Sequence, residues 1–178
     1  GNEETQVGLM GVEVEKEPEY EVTKNLKDLI TGLKVNDDTV VPGTAFDVKA
    51  NTSYKLEFNF DENTQQKKGK DLEFDMTDYV YYDLPAGVEA NGITGKIEVN
   101  VTEGSKLYVI EHPYEIKNNR LTITWNKDDK NFSKLAAAHK VNIEFKMNAS
   151  FDGSEKTVYF DGGKQLRIDV DVSKLTLV

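Results

Sequence analysis

The residues best suited to recognition chemistry lie between Asp71 and Pro85, in the run Asp-Leu-Glu-Phe-Asp-Met-Thr-Asp-Tyr-Val-Tyr-Tyr-Asp-Leu-Pro. It holds five acids, three tyrosines and no basic residue. Tyr79, Tyr81 and Asp83 share one parity, so an extended strand presents all three on one face. A tyrosine offers an apolar ring with a polar tip, and a neighbouring carboxylate accepts hydrogen bonds. Exposed tyrosines beside acids therefore suit sugar or protein recognition. The same rings would equally serve to pack under a loop or against a neighbouring domain. Leu72, Phe74, Met76, Val80, Tyr82 and Leu84 have the opposite parity and are expected to face the core. Asp78 shares that inward parity. A buried carboxylate is costly alone, so Asp78 is expected as a buried acid held by a bulge or a bonded partner.

Other chemistry is sparse. The two histidines, His112 and His139, stand far apart and outside any metal-ligand spacing. His112 precedes Pro113 and is expected in a turn, and both histidines are expected at the surface. No nucleophile-elbow, Walker or dinucleotide motif occurs. Asp37-Asp38 and Asp128-Asp129 lack the spaced oxygens of a calcium loop and read as solvated turns. The absence of Cys excludes disulfides, thiolate metal sites and thiol nucleophiles. No catalytic residue, metal or cofactor is expected, and the chain does not read as an enzyme. The net charge of −10 repels phosphate backbones and anionic lipid, so neither nucleic acid nor a membrane surface is an expected partner. No apolar run reaches the ~18 residues that a membrane span needs.

The elements that must position these residues alternate with period two. Tyr54, Leu56, Phe58 and Phe60 alternate with polar residues, as do Ile97, Val99 and Val101. Leu121, Ile123 and Trp125 do the same, as do Val141, Ile143, Phe145 and Met147, then Leu166, Ile168, Val170 and Val172. Each run has one wet and one dry face, the signature of antiparallel sheets packed face to face. Asn36-Asp37-Asp38, Pro42-Gly43, Pro85-Ala86-Gly87, Asn118-Asn119 and Asp152-Gly153 are turn signals between the runs. Leu26, Leu29, Ile30 and Leu33 follow helical spacing over 23–31, with Gly32 as a stop. Leu135 to Ala138 offer a second helical turn. The expected fold is all-β, a two-sheet antiparallel β-sandwich with one or two short helices. Residues 1–21 carry seven glutamates against Lys16 and read as an acidic flexible leader, in which Val12 to Glu15 also allow a strand. Residues 22–178 read as the folded domain.

Several segments together carry a resemblance. They are Tyr54-Lys-Leu-Glu-Phe-Asn-Phe60, the strand end Leu84-Pro-Ala-Gly-Val88, Asn118-Asn-Arg-Leu-Thr-Ile-Thr-Trp125 and the run Val141 to Phe151. Across roughly residues 22–172 the chain resembles the immunoglobulin-like adhesin domains of Gram-positive cell-wall-anchored proteins, including the staphylococcal adhesins and related pilin subunits. The resemblance implies a variant immunoglobulin-like sandwich that is secreted and attached to the cell surface. It also implies an extracellular protein or glycan ligand and an adjacent immunoglobulin-like domain in the same full-length protein. Such relatives often carry a self-formed isopeptide bond, which needs a desolvated, neutral lysine on the dry face. Lys34, Lys55, Lys96 and Lys146 all have wet-face parity, so no isopeptide bond is expected. The intact mass should therefore equal the mass of the sequence; a deficit of one water or one ammonia would reveal the cross-link.

Overall fold

Each alternating run forms a strand. The computed structural model describes residues 5–7, 13–15, 20–62, 66–67, 70–74, 78–90, 94–138, 141–161 and 166–171. In chain order the strands are β1 (Thr5–Val7), β2 (Glu13–Glu15), β3 (Tyr20–Thr23), β4 (Ile30–Val35), β5 (Asp38–Thr39), β6 (Phe46–Lys49), β7 (Tyr54–Asp61), β8 (Gln66–Lys67) and β9 (Lys70–Phe74). Then come β10 (Tyr79–Asp83), β11 (Val88–Ala90), β12 (Thr94–Glu103), β13 (Lys106–Lys117) and β14 (Arg120–Thr124). Helix α1 (Phe132–Ala138) precedes β15 (Asn142–Phe151), β16 (Thr157–Phe160) and β17 (Leu166–Asp171).

The chain folds as an all-β sandwich. Its large antiparallel sheet has the order β10-β14-β13-β12-β15-β7-β4-β5, with β11 beside the end of β15. A smaller sheet, β16-β17-β6, packs on the same core through Val48, Val158, Phe160, Ile168 and Val170. The small sheets contain two parallel pairs, β6 with β17 and β3 with β9, where the periodicity suggested antiparallel pairing throughout. A parallel pair needs a long crossover, and here more than a hundred residues separate β6 from β17. Within residues 1–21, expected as a flexible leader in which Val12 to Glu15 also allow a strand, Glu13–Glu15 form β2 and pair with β1, placing Val14 opposite Gln6.

The large sheet does not lie flat. Five strand steps separate β10 from β7, which would be roughly 24 Å at normal strand spacing. Yet the ring of Tyr82 on β10 lies 5.8 Å from Phe58 and 5.4 Å from Phe60 on β7. The sheet therefore curls until its two leaves, β10-β14-β13-β12 and β15-β7-β4-β5, face each other. Phe145, Phe160, Leu121, Ile123 and Trp125 fill the space between and beside them. Asn25 forms an isolated parallel bridge to Tyr81, and the Tyr81 N–H donates to the Lys24 carbonyl at 2.8 Å. The segment that leads into β4 thus ties back to the edge of β10.

The leaves meet along a narrow seam. β12 pairs with β15 only at Val99–Ile143 and Asn100–Asn142. Continuing that register would set Glu98 opposite Glu144 and Lys96 opposite Lys146. Like charges directly opposite each other destabilise a ladder, and the strands part there. β11 rejoins β15 at Ala90–Ala149, three residues out of register with β12. The ring of Tyr114 reaches across Gly95 to lie 4.9 Å from Phe145. A Cβ at Gly95 would come within 2.8 Å of that ring.

Two expectations are corrected. Residues 23–31 do not form an amphipathic helix. Only Leu26–Asp28 make a 3-10 turn, capped by the Asn25 side chain, which accepts from the Lys27 N–H. Ile30 and Leu33 instead join β4 opposite Phe60 and Phe58, with a register irregularity between Ile30 and Gly32. A 3-10 turn followed by a strand reproduced helical spacing by chance, and sheet pairing overrode the local propensity. Helix α1 forms where the second helical turn was expected.

His112 is fully buried rather than at the surface. Pro113 does not end the strand, because pairing on its β14 side begins only at Tyr114. The imidazole stands edge-on to Trp125, with ring centroids 4.9 Å apart. Its Nδ1 accepts the Asn126 N–H at 2.8 Å, so the neutral ring carries its proton on Nε2. Nε2 has no hydrogen-bond partner among the described residues. His139 lies outside the described residues.

Burial lowers the His112 pKa from 6.5 to about 4, against a smaller opposing pull from Asp129. The unfolded chain takes up this proton near pH 6.5, and the folded chain resists it until about pH 4. Stability from the neutral ring is therefore complete above pH 6.5 and falls as the pH drops towards 4, by about 3 kcal/mol in all. Urea unfolding across that window should show this loss in the parent and a flatter profile in His112→Gln. Equal slopes would exclude His112 as the cause.

Candidate functional site

The local pattern of β10 decides which side chains reach solvent. Val80 and Tyr82 are buried, so Tyr79, Tyr81 and Asp83 point outward as their parity requires. β14 pairs with β10 in a register that places Thr124 opposite Tyr79, Thr122 opposite Tyr81 and Arg120 opposite Asp83. Directly opposed residues share a face. The outer face of this strand pair is therefore a double row, two tyrosines and an aspartate against two threonines and an arginine.

The row is ordered by cations. Arg120 makes a two-pronged contact with Asp83, Nε to Oδ1 at 2.6 Å and a terminal nitrogen to Oδ2 at 3.1 Å. That clamp holds the guanidinium over the Tyr81 ring, 4.1 Å from its centroid. The ammonium of Lys24 stands 4.7 Å from the Tyr79 centroid. The two tyrosine rings are 6.4 Å apart and tilted by 39°. Tyr79 is 37% exposed, and Tyr81 is half-buried beneath its arginine.

An open groove of about 660 Å³ runs beside this row, lined by Tyr79, Arg120, Thr122, Thr124, Asn126 and Lys127 among others. Asp78 stands at its rim and is not the buried acid expected from parity. Its side chain is 69% exposed and pairs with Lys127 at 3.3 Å. The reason is local: β10 begins at Tyr79, so strand alternation does not extend to Asp78. Its carbonyl still accepts the Trp125 N–H at 3.0 Å, which keeps the backbone in line. Among the described residues the buried acid is Glu62, which continues the inward parity of Leu56, Phe58 and Phe60.

Three members of the row, Arg120, Thr122 and Thr124, had wet-face parity in the sequence. No sequence signal paired them with the tyrosines. Lys24 is 55 residues from Tyr79 and had no sequence signal at all. Of the Asp71–Pro85 run, Val80, Tyr82 and Leu84 are in the core as expected. The side chains of Leu72, Phe74 and Met76 lie outside the described residues.

The opposite leaf carries a second groove of about 530 Å³, lined by Lys34, Asp37, Thr39, Glu57, Glu144 and Lys146. Here Lys55 bonds Asp37 at 2.7 Å and approaches Glu57 at 3.5 Å, while Lys146 approaches Glu57 at 3.7 Å. The Lys55 ammonium holds the Asp37 carboxyl below its usual range. This face is a ladder of paired, solvated charges without an aromatic platform. Lys34, Lys96 and Lys146 are exposed and Lys55 is half-exposed, on the wet face assigned to them. Among the described residues no cluster of His, Asp or Glu is arranged to hold a metal. No helix among them is long and apolar enough to cross a membrane.

Compared with known proteins, the chain matches no protein-family model, no curated protein and no solved structure.

Proposed function

We propose that the chain is a non-catalytic adhesion domain of a bacterial cell-wall-anchored surface protein, and that it binds an extracellular protein or glycan on the outer face of β10 and β14. The observation that carries the reading is the ordered double row around Tyr79 and Tyr81. The Tyr79 ring, a clamped arginine and two threonines line one open groove, with the Tyr81 ring beside them under the arginine, and they are held in place before any ligand arrives. Pre-ordering of this kind lowers the entropy lost on binding. The groove's lining is balanced in charge, Asp78 and Asp128 against Arg120 and Lys127, unlike the acidic chain around it. That balance suits a ligand read by ring contact and hydrogen bonds rather than by net charge. The motif resemblance supplies the secreted, wall-attached setting and the adjacent immunoglobulin-like domain.

A second reading is a structural stalk or pilin module without a ligand of its own. It is favoured by one feature of the same face: each ring already carries a cation from this chain. A carbohydrate-binding accessory module is a third, distinguished by binding glycan and no protein.

The test is a screen of the domain against matrix proteins and a glycan array, followed by titration of any hit. Tyr79→Ala and Tyr81→Ala should each weaken binding by roughly tenfold or more, as truncation of a central aromatic does. Tyr159→Ala, which removes a more exposed ring on β16, should bind like the parent. A ligand that the Tyr79/Tyr81 double variant retains at full affinity places the binding face elsewhere. Silence in both screens favours the stalk.

A further inference from the structure

β13 is the longest of the described strands, and two-thirds of one edge is unpaired among the described residues. It pairs with β12 from Lys106 to Glu115, but with β14 only from Tyr114 to Lys117. Among the described residues no backbone group pairs with the other edge between Lys106 and Pro113. Two of the outward side chains here are apolar: Leu107 is 57% exposed and Val109 44% exposed. They stand opposite Thr102 and Asn100 of β12. A long open edge with exposed aliphatic residues is a template for another strand unless charge or proline blocks it. Pro113 lies beyond the apolar stretch, and Glu111 is the one acid within it.

We infer that this edge is a self-association surface, on which β13 of a second copy pairs antiparallel about a two-fold axis through Tyr108. The identity of the occupant comes from the strand's own sequence. A two-fold perpendicular to the sheet keeps inner faces on the same side, so only residues of like parity stand opposite each other. Centring on Tyr108 sets Leu107 against the partner copy's Val109 twice, once on each side of the axis. It sets Tyr108 against its counterpart and Glu111 against Ser105, so no like charges meet. Centring two or three residues further along would bring Glu111 towards its own copy, which repels. Lys106 stays on its own chain, with its ammonium 5.0 Å from the Tyr108 centroid. The pairing stops short of Pro113 and leaves His112 covered.

A single-strand edge contact lies at the small end of specific interfaces, so the dimer should be weak, with a Kd of about 10 µM to 1 mM. Two chains of net charge −10 repel each other, and salt screens that repulsion. Association should therefore strengthen with added salt. Pairing with a basic foreign strand would weaken instead.

Sedimentation of the full chain over a concentration series up to ~1 mM should show a reversible monomer–dimer equilibrium. Val109→Lys should weaken it by tenfold or more without changing the circular dichroism spectrum. Because the chain has no cysteine, the register can be read independently. Directly opposed strand residues are about 4.5–5.5 Å apart at Cα, within disulfide reach. Tyr108→Cys should oxidise to a covalent dimer, whereas Glu111→Cys should not. A chain that stays monomeric throughout overturns the inference. So does a Val109→Lys variant that dimerises like the parent, or cross-linking that is equal at both cysteine positions.

Discussion

The contact of Tyr82 with Phe58 and Phe60 is the constraint on which the rest of this structure depends. It joins the first strand of the large sheet to the sixth, at 5.8 and 5.4 Å between rings, and so turns one ribbon into two facing leaves. Aromatic pairs of this kind contribute about 0.5–1.5 kcal/mol each beyond the area they bury. The phenol is also tied down, since its oxygen accepts the Asp161 N–H at 3.2 Å. Burial pushes its pKa well above the usual tyrosine value, so the group stays neutral in the core. One side chain thereby links both leaves to the end of β16.

The same contact fixes the outer surface. With Tyr82 and Val80 committed inward, strand alternation leaves Tyr79, Tyr81 and Asp83 no other direction. The pairing with β14 then delivers Arg120 to Asp83, and the arginine covers Tyr81. The order of the groove is thus inherited from the packing beneath it. The tyrosines, Asp83, Arg120 and the two threonines sit on paired strands, where side-chain positions are more sharply defined than on loops.

Much of this was legible in the sequence because period-two alternation is a strong signal over long strands. The inward residues of β7, β10, β14 and β15 are those that parity selected. The paired turns at Asn36-Asp37 and Asn118-Asn119 adopt the left-handed conformation that two-residue hairpins demand. Alternation fails at strand ends, and the errors fall there. Asp78 precedes the first residue of β10, and Leu26 and Leu29 sit in a short turn before β4. His112 was misjudged for the converse reason, since a proline in a strand does not end it when one flank is unpaired. Glu62 is buried where the inward parity of β7 runs on past its last residue. Which strands become neighbours was not legible. Arg120, Thr122 and Lys24 reach the tyrosines only through pairings between distant segments.

The seam between β12 and β15 has a mechanical meaning. Among the described residues, two residue pairs are all that join the β12 and β15 edges of the leaves by backbone. The angle between the leaves is therefore set by what fills the space between them, chiefly Phe58, Phe60, Phe145 and Tyr82, rather than by the ladder. A sheet of this design behaves as two plates on a flexible joint. Altering the volume of the filling tilts one plate against the other, and the tyrosine row on the outside turns with it.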